Sequence, residues 1–289
     1  MKKAFIYIIL AGILWGSSGI FVHYLAPMGL SSANITTVRS VVGVICMAVY
    51  LLLTDKKAFI AKPKQIALYI GSGIGFFFTG TCYFASMQMT SVSTAVVLMY
   101  TAPVFVMMYS VAFLGEKLTA IKTISVAAML IGCALVSGII GGFKFDLMGI
   151  FVGLMAGVAY SSYNILTKIQ MKNKCNPYSA TLYCFVFTAL TSLIFSKPGE
   201  ILHVVAQNPK SLILITVCGI CTCVLPYLFF TLSLKDLPAG TASSLAIVEP
   251  LAATLLSVAF LGEKLTIYSF AGIILIVSAI FALGKSKEK

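Results

Sequence analysis

Charge is scarce in this chain: of 289 residues, 10% are Asp, Glu, Lys or Arg, only 8 are acidic and only 2 are histidines. A water-soluble globular domain carries about a quarter of its residues charged, so this composition excludes one. His23 and His203 lie too far apart to form a His-Glu-x-x-His metal helix. Neither a carboxylate pair nor a Ser-His-Asp set falls within reach along the apolar segments, which removes the usual residues of hydrolytic chemistry and argues against an enzyme. The Gly284-Lys285-Ser286 tripeptide lacks the upstream glycine of a phosphate loop, because residue 279 is alanine. ATP-driven chemistry therefore has no motif, and no cofactor is expected.

What fills the chain instead is apolar: 60% of residues are hydrophobic and the mean hydropathy is +1.04. At about 20 apolar residues per membrane span, this length is expected to hold roughly ten spans joined by short loops, with no room left for a soluble sensing domain. The net charge of +12 would suggest nucleic acid in a soluble protein, but basic loops retained in the cytoplasm produce the same excess in a membrane protein. The segment after Lys2 and Lys3 resembles a signal peptide without a small-residue cleavage site, so it reads as the first span. Seven of the 8 cysteines fall in apolar stretches and only Cys175 in a polar one, so no disulfide framework is expected. Cys218 and Cys221 share a helical face near Cys223 but have no His or carboxylate beside them, which reads as packing rather than metal binding.

Hydropathy places the spans near 4–24, 32–53, 65–88, 92–114, 120–140, 147–167, 177–195, 211–233, 239–261 and 266–284. The runs are too long for barrel strands and do not alternate, so they are helices. With the amino terminus inside, only Lys144, Lys197, Lys210 and Lys264 fall outside, and the other fifteen lysines are cytoplasmic. The expected location is thus the cytoplasmic membrane, multi-pass, with both termini and the 285–289 tail in the cytoplasm.

Residues 110–119 and 257–266 are the same ten residues, SVAFLGEKLT, at an offset of 147. The offset extends outward to pair Pro103 with Pro250 and Leu98 with Leu245. At an offset of 145, Ala11, Gly12 and Ser17 meet Ala156, Gly157 and Ser162, and Trp15 meets Tyr160. The chain is therefore two repeats, 1–140 and 147–284, of five spans each. Five is odd, so the second half enters the membrane with inverted orientation, an arrangement common among secondary transporters. Within GEKLT, Gly ends one helix, Thr119 or Thr266 caps the next, and the charges remain solvated.

On these residues the chain resembles the drug/metabolite transporter superfamily, in its EamA-domain branch. The marks are TAPVF (101–105), VEPLA (248–252), the two LGEKLT loops and Trp15-Gly16, and the resemblance covers both halves. It implies ten helices, a cavity between the halves, alternating access, and amino acids or related metabolites as solutes, with export favoured.

Pro103 and Pro250 fall near mid-span, where each removes a backbone donor and frees the carbonyl of Met99 or Ala246. Paired mid-span breaks point to a transporter binding site, although a packing kink would look the same. Glu249 is the one acid deep in a span and its repeat mate is Ala102, so the scaffold alone does not require it. A charged group at the helix centre costs about 3 kcal/mol, so Glu249 is expected to face solute, pair with a cation or carry a coupling proton. Arg39 has two options: its side chain snorkels to the interface, or it pairs with Glu249 or a solute carboxylate. Candidate cavity residues are Trp15, Ser18 and Gly19 on span one, Tyr160, Tyr163 and Asn164 on span six, and Tyr83, Tyr100 and Tyr227 as aromatic walls. His23 is expected at the outer interface. Glycines at 12 and 16 and at 149, 153 and 157 permit close helix approach; they leave a homodimer open without assigning an interface. Glu249 and the aromatic residues would suit uptake of a cationic or quaternary-ammonium metabolite equally well. An anionic sugar phosphate suits the spans less, since Arg39 is their single fixed cation.

Reporter fusions made after Lys64 and after Lys210 are expected to report opposite sides of the membrane. A shared side would overturn the orientation and the inverted repeat together.

Overall fold

A computed structural model describes residues 2–90, 92–115, 117–136, 146–261 and 266–285. Among them all regular structure is helical: α1 (Lys2–Gly16), α2 (Ser18–Leu25), α3 (Ser32–Thr54), α4 (Pro63–Met89), α5 (Val92–Met99), α6 (Ala102–Tyr109), α7 (Ala120–Val136), α8 (Leu147–Lys172), α9 (Pro177–Phe195), α10 (Pro198–Gln207), α11 (Lys210–Gly219), α12 (Leu225–Asp236), α13 (Ala239–Leu245), α14 (Val248–Leu261) and α15 (Ile267–Lys285). Starts are written in local sequence. Ser31 accepts the Asn34 N–H at 3.2 Å, Asp146 accepts the Gly149 N–H at 2.6 Å, and Asn176 accepts the Tyr178 N–H at 2.9 Å. Pro63, Pro177 and Pro198 occupy first-turn positions, where a missing N–H costs nothing.

Among the described residues, eight stretches are long and apolar enough to cross a membrane: Lys3–Phe21, Ala33–Thr54, Pro63–Ser86, Ala95–Leu114, Leu147–Lys172, Pro177–Phe195, Lys210–Asp236 and Ala239–Phe260. Ala120–Leu135 and Ile267–Ala282 are shorter apolar helices. They coincide with the fifth and tenth expected spans, of which 137–140 lies outside the described residues. Side chains such as Leu53, Phe113, Ile194 and Phe260 are exposed around the outside, a surface that only lipid would solvate. The protein is a multi-pass, all-helical membrane protein.

The packing is symmetric between halves. α1 lies on α12 as α8 lies on α4; α1 crosses α14 as α8 crosses α5 and α6; α3 pairs with α9 and α7 with α15. The likeness reaches individual atoms. A Cβ on Gly12 would meet Val248 Cβ at 3.0 Å, and one on Gly157 would meet Thr101 Oγ1 at 2.9 Å. Gly12 matches Gly157 and Thr101 matches Val248 under the repeat offsets. Glycine on α1 and α8 thus lets each helix lie directly on a broken neighbour, the close approach its spacing suggested.

The described parts of the GEKLT loops behave as caps. Gly115 adopts φ +68° where the preceding π-helical turn (Ser110–Leu114) ends, Thr119 accepts the Lys122 N–H at 3.3 Å, and Thr266 accepts the Ser269 N–H at 3.0 Å. Glu116 and 262–265 lie outside the described residues. Between α9 and α11, α10 is tied to the start of α3, where buried Asn34 donates to Glu200 at 3.0 Å and accepts the Lys197 N–H at 3.1 Å. Hydrogen bonds from Lys197 and Asn34 hold the Glu200 carboxyl below its usual range.

A Cβ on Gly16 would sit 2.7 Å from both Ala252 Cβ and the Ala253 nitrogen, whereas one on Gly19 meets nothing within 4 Å. Gly16→Val is therefore expected to cost about 1–3 kcal/mol through overpacking and to lower the thermal midpoint of purified protein, while Gly19→Ala leaves it in place. Equal midpoints for the two variants would refute this α1–α14 contact.

Candidate functional site

Lipid cannot hydrate a backbone carbonyl, so each proline inside a spanning helix raises the question of what bonds to the oxygen it frees. The helix pair α5–α6 is interrupted at Tyr100-Thr101 and α13–α14 at Ala246-Ile247, positions within one residue of each other under the repeat and just ahead of Pro103 and Pro250. In the second half the Ala246 carbonyl, which Pro250 cannot serve, accepts the Glu249 N–H at 2.9 Å. In the first half the chain turns tightly, with the Thr101 N–H on Leu98 O at 3.2 Å and the Val104 N–H on Thr101 O at 2.9 Å. The two breaks meet. The Tyr100 hydroxyl donates to Glu249 Oε2 at 2.5 Å and lies 3.5 Å from the Ala246 carbonyl. Pro103 and Pro250 thus place one aromatic hydroxyl and one carboxyl against each other across the two halves. The hydroxyls of Tyr83 and Tyr160 lie within electrostatic reach of the same carboxyl.

A third proline does similar work in α12. The π-helical turn Ile220–Val224 sends the Leu225 N–H five residues back to Ile220, and Pro226 has no N–H to give the Thr222 carbonyl. Arg39 on α3 supplies the donor, with Nη2 2.6 Å from Thr222 O. The side chain therefore reaches across to the turn that precedes α12 instead of running out to the interface. Its Nε is buried without a hydrogen-bond partner, and among the described residues no carboxylate lies within ion-pair distance. Arg39 and Glu249 sense each other's charge without touching.

Beside these breaks lies an aromatic cluster. The Trp15 ring is 4.9 Å from Tyr227, 5.6 Å from Phe230 and 6.5 Å from Tyr160. Tyr163 is 5.7 Å from Tyr227 and 6.3 Å from Tyr160, and Phe76 presents its ring to Tyr227 at 4.3 Å. Such pairs contribute roughly 0.5–1.5 kcal/mol each beyond burial, which fixes the rings as a rigid wall. Into it are set polar atoms with no hydrogen-bond partner: the Trp15 indole Nε1 and both amide atoms of fully buried Asn164. The Tyr160 hydroxyl, one turn from Asn164, comes near without meeting hydrogen-bond geometry. Natural proteins rarely leave such groups empty-handed.

Of the residues singled out from sequence, Trp15, Tyr160, Tyr163, Asn164 and Tyr227 come together, and Tyr100 joins Glu249 beside them. Ser18 and Gly19 do not continue the Trp15 face, because the helix breaks at Ser17, whose hydroxyl folds back to the Leu14 carbonyl at 2.7 Å. Ser18 is half-buried and Gly19 borders open space. Tyr83 is half-buried, with its ring against Phe84 at 5.6 Å. His23 lies on α2, its side chain outside the described atoms. Phe76, Phe230, Thr222 and Pro226 were not anticipated. Pro226 carried the same signal as the other two prolines, and the Gly16-Ser17-Ser18-Gly19 run announced the break after α1. Among the described residues no three His, Cys, Asp or Glu side chains gather as a metal site, and none of the 8 cysteines is joined in a disulfide.

The EamA-like transporter family matches over residues 2–138 and again over 147–284. The chain belongs to that family. An uncharacterized transporter of Archaeoglobus fulgidus is 25% identical, with 94% of this chain and 93% of the relative covered. Another from Clostridium kluyveri is 26% identical over 96% of this chain and 91% of its own. The uncharacterized transporter YwfM of Bacillus subtilis is 24% identical over 98% and 94%. A solved crystal structure superposes with a TM-score of 0.81 at 16% identity, covering 99% of this chain and 97% of that one, a likeness of fold alone. This EamA-family chain is thus a membrane transporter rather than an enzyme, and its helix breaks and aromatic wall are features of a transporter.

Tyr100→Phe deletes the hydroxyl and leaves the half-buried Glu249 carboxyl short of a partner, at an expected cost of about 1–3 kcal/mol in thermal stability. The matching double variant with Glu249→Gln should show non-additivity; additive losses would mean that the two groups do not act together.

Proposed function

We propose that this protein is a secondary active transporter that moves a small polar organic solute, an amino acid or a related amine, across the cytoplasmic membrane by alternating access. The observation that carries this is the Tyr100–Glu249 hydrogen bond, which joins the break of one repeat to the break of the other. Discontinuous helices meeting between repeats are where transporters bind solute. Trp15, Tyr160, Tyr163 and Tyr227 offer ring faces to an ammonium group, and Glu249 offers its counter-charge. The Trp15 indole and Asn164 amide are buried without protein partners, which leaves their hydrogen bonds for solute oxygen and nitrogen atoms once the halves part. Glu249 is also the candidate carrier of a coupling proton, in exchange against solute.

The reading includes ten spans as two inverted five-helix repeats, with both termini cytoplasmic. Support comes from the lysine distribution and from cross-contacts that join ends expected on the same side. Ser179 and Tyr183 bond to the Ala58 and Phe59 carbonyls at 2.7 and 2.6 Å, Lys172 to Leu114 at 3.1 Å, and Lys168 to Leu234 and Leu237 at 2.8 and 2.6 Å. At the opposite end Ser86 bonds to the Gly149 carbonyl at 2.8 Å and Asn34 to Glu200 at 3.0 Å. Export is the direction that the family resemblance favours. The ring cluster also supports a second solute class, a cationic or quaternary-ammonium metabolite taken up from outside.

Thermal stabilisation of purified protein across amino acids, polyamines, quaternary amines and organic anions at two pH values tests this. Stabilisation by amines or amino acids that disappears in Glu249→Gln is expected. Stabilisation by organic anions alone, unchanged in Glu249→Gln, would overturn it.

A further inference from the structure

Arg39 is the single arginine of the chain, and its guanidinium remains charged in any protein environment. Its one hydrogen bond is to a neutral backbone oxygen, Thr222 O at 2.6 Å, which offsets no charge. Nε is buried and unpartnered. The ionisable groups around it are Cys218, Cys223, Tyr227 and Glu249, and no described carboxylate oxygen lies within 4 Å. A half-buried cation with one nitrogen sealed off and no carboxylate in contact is poorly compensated, so an anion is expected to arrive from elsewhere. A guanidinium edge fits a carboxylate in a paired, two-bond geometry that an ammonium cannot reproduce.

The place matters as much as the charge. Tyr227 follows Pro226 directly, beyond the freed Thr222 carbonyl, and its ring packs on Trp15 at 4.9 Å and Phe76 at 4.3 Å. One residue therefore borders both the arginine and the aromatic wall. We infer that Arg39 is the receptor for the carboxylate of the transported solute, with Nε and the guanidinium edge beside it donating to that group while Thr222 O holds the side chain in position. Resting on the transporter reading above, this adds a requirement: the solute carries two opposite charges, its carboxylate at Arg39 and its ammonium among the rings near Glu249. Amino acids meet it; amines and quaternary ammonium compounds meet half of it.

The test uses matched sets of probes on the purified full chain: leucine, 3-methylbutylamine and 4-methylpentanoate, with the corresponding phenylalanine set. Wild-type protein is expected to bind one of the amino acids at least tenfold more tightly than its matched amine. Arg39→Gln is expected to abolish that advantage, whereas Glu249→Gln abolishes the advantage over the matched acid. If Arg39 is only a clasp on the Thr222 carbonyl, Arg39→Gln will lower the thermal midpoint and leave the amino-acid-to-amine ratio unchanged, which overturns the inference. A wild-type protein that binds amine and amino acid equally also overturns it, with the amine-transporter reading intact. Failure of every probe and of the wider amine panel would end both. Should Arg39→Gln not fold, phenylglyoxal modification of Arg39 in wild-type protein gives the same answer: slowing by the amino acid but not by the amine is expected, and equal slowing by the two sinks the idea.

Discussion

A carbonyl freed by proline inside a membrane must be bonded by the protein, and much of this structure follows from what the chain does around three such prolines. Pro250 leaves Ala246 to the Glu249 N–H, which tightens the turn and presents the Glu249 carboxyl at the break. Pro226 leaves Thr222 to Arg39, which draws a long cationic side chain away from the interface and into the helix packing. Pro103 is accompanied by a tight turn that sets Tyr100 facing the other half. The prolines thus do more than bend helices. They fix where the polar chemistry of an otherwise apolar protein resides.

Close packing makes these short bonds attainable. Tyr100 meets Glu249 only because the two broken segments approach within a side chain's length, and Gly12, Gly16 and Gly157 allow α1 and α8 to lie directly on them. In lipid there is no hydrophobic drive between helices, so small residues and interhelical hydrogen bonds carry association. The pairing of α1 with α12 and of α8 with α4 repeats that solution in each half. The aromatic cluster fills the remaining space between halves, and its rigidity leaves the indole of Trp15 and the amide of Asn164 without protein partners. Polar groups held this way are fixed in place by folding itself, with no later ordering step.

Symmetry and its departures divide the labour. Glycine contacts, helix breaks and paired helices recur in both halves, which marks them as scaffold. Glu249 has alanine at the equivalent position, and Arg39 is the lone arginine. The groups that break the repeat are those with charge, as expected if a symmetric framework holds an asymmetric solute.

Much of the architecture was legible in the sequence. An identical ten-residue stretch in each half cannot be missed, hydropathy at this level leaves only helices in a bilayer, and a proline's lost N–H is a covalent fact independent of context. Glycines spaced four apart state which helix face is bare. The sequence also singled out Trp15, Tyr100, Tyr160 and Glu249, because polar and aromatic residues stand out against an apolar background. Which of them meet was not legible. Arg39 and Thr222 are 183 residues apart and Tyr100 and Glu249 are 149 apart, and no periodicity encodes contacts at such separations. The break at Ser17 separated Gly19 from the Trp15 face that a continuous helix would have given it. Sequence by itself determined how many polar groups the membrane would have to tolerate and where along the chain they lie; the tertiary structure alone decided their partners, because a hydrogen bond depends on ångström distances between helices that local sequence does not set.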